Sequence, residues 1–186
     1  MSGHSALDQL PSVTIPLGLV VPWRKKHYFD SDAEPMTFTR RAFHFWGDPV
    51  LFPLVRAFLS GCTAGQDNEY RYVFALLGSE LAGNAIRHSR SGEPGGCYTL
   101  RVDRSAEGLT LTCRDSGSPD SARRRGSNRE YLATDPSGLE PDADTGRGLH
   151  LVDAFATSWG DNGFADHRHV WFYLDFGLTG SEWNTA

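Results

Sequence analysis

Glu80-Leu-Ala-Gly-Asn84-Ala-Ile-Arg-His88 closes a stretch, Asp67 to His88, whose apolar residues recur at helical spacing. Tyr70, Phe74, Leu77, Leu81, Ala85 and His88 fall on one face at about 100° per residue, which predicts an amphipathic helix with that face buried. Glu80 and Asn84 lie at the edge of the stripe, one turn apart and facing the same way. A carboxylate and an amide beside a hydrophobic stripe are commonly no more than solvated polar residues. They become a candidate site if other elements bring matching chemistry to the same edge.

Two later stretches do so. Tyr98, Leu100 and Val102 alternate as one strand face, and Leu109, Leu111, Cys113 and Asp115 as the next, with Glu107-Gly108 expected to make the turn between them. Strict alternation points Asp115 to the core side, where an unpartnered carboxylate is costly. In Asp115-Ser-Gly117-Ser-Pro119 the carboxylate could accept from an exocyclic amino group of a purine, and Gly117 would let the ring approach the backbone. The plainer alternative is an Asp whose side chain caps its own loop. Gly146-Arg147-Gly148-Leu149 then opens a helix, and exposed N–H groups at a helix start favour anions, with Arg147 adding a fixed positive charge. A flexible hinge would need the same glycines and no ligand. Asn84 offers a neutral oxygen of the kind Mg²⁺ takes when phosphates supply its other ligands. Glu80 could orient or deprotonate a hydroxyl or water, and His88 continues the same face.

Around these motifs the pattern is that of an α+β two-layer sandwich, a mixed, mostly antiparallel sheet with helices collected on one face. Residues 1–35, with four prolines, read as an N-terminal extension, and residues 36–178 as the domain. Residues 179–186 read as a C-terminal tail. A strand is expected over Met36–Phe45. Asp48-Pro49 should cap a helix ending at Gly61. From about 116 to 145 periodicity is lost, as in a lid or binding loop; its Arg123-Arg124-Arg125 reads as solvated charge. The third helix should bury Leu149, Val152, Phe155 and Trp159, and a closing strand Val170, Phe172, Leu174 and Phe176.

The 186 residues suit one domain with a substantial core. A net charge of −5 argues against broad nucleic-acid binding. Lys25 and Lys26 are the only lysines and neither follows a glycine, so there is no P-loop. Gly146-x-Gly148 lacks the third glycine of a dinucleotide fingerprint. Cys62, Cys97 and Cys113 fit neither a zinc pattern nor a disulfide framework, and Cys113 reads as a small buried hydrophobe. No early apolar run is long enough for a signal peptide and no stretch approaches a membrane span, so a cytoplasmic protein is expected.

Glu80-x-x-x-Asn84, Asp115-x-Gly117 and Gly146-Arg147-Gly148-Leu149 resemble the N, G1 and G2 boxes of the GHKL ATPase superfamily. The wording Glu80-Leu-Ala-Gly-Asn84-Ala-Ile-Arg-His88, Gly146-Arg-Gly-Leu-His-Leu-Val152 and Val170-Trp-Phe-Tyr-Leu174 is similar to that of bacterial anti-sigma factor serine kinases. The resemblance implies a Bergerat fold, ATP and Mg²⁺ as cofactors, Asn84 as metal ligand and Glu80 as general base. It also implies Asp115 and Gly117 at the adenine, and Gly146, Arg147 and Gly148 at the phosphates. It further implies a sigma factor and a STAS-type antagonist as partners, serine or threonine phosphorylation of the antagonist, and homodimerisation. Two other readings stand beside it: a nucleotide-binding switch without transferase activity, and a catalytic domain detached from a histidine kinase. A structural module that binds no nucleotide is a further alternative.

Overall fold

The computed structural model describes residues 17–30, 38–118, 131–133 and 147–185. Five strands form one sheet: β1 Arg40–Trp46, β2 Cys97–Arg104, β3 Gly108–Arg114, β4 Ser158–Asp161 and β5 His169–Asp175, in the order β1-β2-β3-β5-β4. Every neighbouring pair is antiparallel, so among the described residues the sheet is antiparallel throughout rather than mixed. The registers Phe43↔Leu100, Leu100↔Cys113 and Cys113↔Val170 stack one apolar row across four strands. The longer helices are α2 Phe52–Cys62, α3 Asn68–His88 and α4 Arg147–Phe155; a single turn, α1 Leu17–Val20, precedes them.

α3 forms where its periodicity predicts. The Asp67 carboxylate accepts the Tyr70 N–H at 2.8 Å, Glu69 sits in the first turn and Arg87 in the last, each charge matched to the helix dipole. Its apolar face, including Tyr70, Phe74, Leu77 and Leu81, is buried with Phe45, Tyr98, Leu100, Leu111 and Phe172 of the sheet. Phe74 meets Phe172 edge-on at 5.3 Å, and the Tyr70 hydroxyl donates to the Leu174 carbonyl at 3.0 Å. The opposite sheet face carries exposed side chains such as His44, Trp46 and Arg101.

Several local expectations change. β1 begins at Arg40, not Met36, and residues 31–37 lie outside the described residues. Asp48 caps a single 3-10 turn, Pro49–Leu51, and α2 starts only at Phe52, with Pro53 in its first turn. Gly61 does not end that helix. It is buried one residue from its end, where a Cβ would come within 2.2 Å of the Tyr28 carbonyl oxygen. Glycine is needed there because residues 23–29 cross the helix, with Tyr28 and Phe29 against Phe58. Val21 is fully buried in the same core, so residues 17–30 pack on the domain. The β2–β3 turn is a three-residue loop, 105–107, in which Ser105 holds Gly108 from both sides, and Gly108 is already strand. Trp159 lies beyond α4, on β4, a strand too short to show alternation. Its indole N–H donates to Asp153 of α4 at 2.7 Å. Trp183 in the last described turn packs on Tyr72 and Phe155.

Candidate functional site

The C-terminal half of α3, the end of β3 and the start of α4 meet at one side of the helical layer. Gly148 is the point of closest approach: a Cβ there would lie 2.7 Å from Glu80 Oε2, 3.2 Å from Asn84 Nδ2 and 3.4 Å from Asn84 Oδ1. A larger residue would press on both polar side chains, first on the flexible end of Glu80. Gly146 lies outside the described residues, and so does the Arg147 side chain.

Beside this contact opens a cavity of about 420 Å³, within the range of small-ligand sites. Leu81, Ala85, Cys113, Leu149, Ala165 and Val170 give it apolar walls, while Asn84, His88, Ser89, Asp115, Ser118 and Arg168 bring polar groups. Asn84, His88, Asp115 and Leu149 of the expected set therefore line it, and Glu80 stands outside the lining with its side chain 28% exposed. The thiol of Cys113, pushed up mainly by burial and further by Asp115, is neutral on this wall.

Asp115 acts on both sides of its position. Its Oδ1 accepts the Gly117 N–H at 2.7 Å, the loop cap its place at a strand end allows. The carboxylate also borders the cavity. Burial raises its pKa; the Gly117 and Arg168 backbone N–H contacts and the Arg168 charge pull the other way without reversing it. Gly117 meets a second demand that its motif does not announce. It has φ of 77°, and a Cβ would meet the Asp166 carbonyl oxygen at 2.3 Å. The room left by its missing side chain is filled by the backbone of Ala165–Asp166, so Gly117 shapes the turn under Asp115 and does not line the cavity.

Two features went unread in the sequence. Tyr131, Leu132 and Ala133, the only described residues of the 119–146 region, form part of the cavity wall. Arg168 completes it from the β4–β5 connection. Both are held by Asp161, whose side chain is 2% exposed: Oδ1 accepts the Leu132 N–H at 3.2 Å, and Oδ2 accepts the Gly163 N–H at 3.3 Å and lies 3.7 Å from Arg168 Nη1. The signal is tertiary. A lone Asp after Trp159-Gly160 carries no spacing that announces it.

The donor set suits a nucleotide with a hard divalent cation. A single amide oxygen, Asn84 Oδ1, beside a carboxylate is the sparse protein contribution that Mg²⁺ accepts when phosphates complete its shell. The apolar walls and the Asp115 acceptor fit a ring bearing an amino group.

A family profile described as the histidine kinase-like ATPase domain matches residues 45–160, more than half of the chain. The chain belongs to the histidine kinase-like ATPase domain family of the GHKL superfamily. No curated protein matches it. The match spans all three motifs and ends within β4, and the antiparallel sheet with one helical layer is the fold this membership implies. No described helix is long and apolar enough to cross a membrane.

Proposed function

We propose that this chain binds ATP with Mg²⁺ and acts as an anti-sigma-type regulator that phosphorylates a serine or threonine of a small STAS-type antagonist. The observation that carries the reading is the close approach of Gly148 to both Glu80 and Asn84 beside the cavity that Asn84 and Asp115 line. In this reading Asn84 holds the cation, Asp115 accepts from the adenine amino group, and the start of α4, from Gly146 to Gly148, meets the phosphates. Bound Mg²⁺ would neutralise phosphate charge during transfer. Glu80, partly exposed and outside the cavity wall, is where the hydroxyl of a protein substrate could reach a base. A sigma factor is the proposed second partner and a cytoplasmic, homodimeric protein the proposed context.

A nucleotide switch without transferase activity is the second reading, and one observation favours it: the Glu80 carboxylate lies 3.8 Å from the Arg87 guanidinium, a cation that would weaken it as a base. Capture of partners from the source cell with ATP and with ADP, followed by transfer of label from ATP to each captured protein, separates the two. Label on a serine or threonine, lost in Glu80→Gln, supports the kinase. Nucleotide-dependent capture with no label leaves the switch.

A further inference from the structure

Arg87 folds back along α3 to the pair that the nucleotide reading assigns to the metal and the base. Its Nη2 donates to Asn84 Oδ1 at 3.1 Å and stands 3.8 Å from Glu80 Oε2. The return path crosses Gly83, where a Cβ would lie 3.2 Å from that same nitrogen and 3.5 Å from the guanidinium carbon. Glycine is unfavourable inside a helix, and Gly83 is buried within a 21-residue one, so the space it leaves has a use. On the other side, Gly148 closes against Glu80 and Asn84. The oxygen that would ligate a divalent cation thus already accepts from a cation, and the nearest carboxylate already faces one. A second positive charge at Asn84 Oδ1 would be repelled by the guanidinium across a few ångströms.

We infer that Arg87 is a built-in competitor for the divalent cation. Its guanidinium holds the Asn84–Glu80 pair in the nucleotide-free molecule and leaves when the metal arrives. Arg87 therefore sets the Mg²⁺ concentration at which the nucleotide site is completed. This rests on the nucleotide reading above. The test uses the full chain: affinity for a fluorescent ADP analogue is measured against free Mg²⁺, and bound Mn²⁺ is counted in the same complex by electron paramagnetic resonance. Arg87→Met keeps the stem and removes the charge. It should lower the half-saturating metal concentration roughly two- to fivefold, the size of an exposed charge contact, and leave metal-free affinity unchanged. Arg87→Lys, with the charge but not the planar fork, should fall between. An unchanged metal midpoint in a folded Arg87→Met overturns the proposal. So does a loss of metal-free affinity with the midpoint unmoved, which would make Arg87 a phosphate ligand instead. If the wild-type chain binds no adenine nucleotide at any metal concentration, the nucleotide reading fails and the competitor falls with it.

Discussion

Asp115 carries two opposed demands. Because burial raises its carboxyl pKa in the folded chain, the folded state binds a proton at pH values where the unfolded state has released it. Stability therefore falls as pH rises from the ordinary 3.8 through the raised folded value, and above that window the ionised carboxylate remains a constant cost. Asp115→Asn keeps the oxygen that accepts from Gly117 and removes the charge. The nucleotide-free variant should melt higher than wild type at neutral pH and lose this part of the acid dependence. Adenine nucleotide should bind more weakly by ~1.5–3 kcal/mol, as for a charged hydrogen bond. Calorimetry giving equal affinity in a folded variant would remove the adenine contact. Gly148→Ala tests the neighbouring contact. The new methyl would press on Glu80 Oε2, the end of a flexible side chain, so the fold should hold. Label transfer should drop by up to ~10²-fold as the two reacting sides are spread. A variant that transfers at the wild-type rate would show that the close α3–α4 approach is packing alone.

At the scale of elements, what the sequence disclosed was what depends on near neighbours. α3 was legible because the Asp67 cap, the apolar period and the terminal charges all agree within its own span. β2, β3 and β5 were legible because each alternates for seven residues or more. β4 was not, since four residues, Ser158–Asp161, cannot display a period. Gly61 reads as a helix stop and Gly117 as a ring contact because those are local uses of glycine; the close approach of Tyr28 to the one and of Asp166 to the other, distant in sequence, is a demand no local pattern announces. Arg168 and Asp161 belong to the site through packing that no motif encodes. Gly61→Ala puts this to the test at α2. A methyl against the backbone of Tyr28 forces residues 23–29 off the helix, costing about 1–3 kcal/mol. The melting temperature should fall by roughly 2–4 °C per kcal/mol, with nucleotide affinity unchanged. A variant as stable as wild type would mean that the segment yields freely.

For the molecule as a whole, ligand and fold are coupled by mass action. ATP with Mg²⁺ at a hundred times its dissociation constant should add about 2.7 kcal/mol to stability, a rise of roughly 5–10 °C in melting temperature for a chain of this size. GTP at the same concentration should give a much smaller shift, since Asp115 would face a carbonyl oxygen there. Equal shifts would remove the adenine preference. The cavity is walled by Leu81, Ala85, Cys113 and Val170, and all four are also buried members of the main core. A ring entering it becomes, in effect, one more core side chain. Its transfer from water should carry a negative change in heat capacity, so that the enthalpy of binding grows more favourable with each degree of warming.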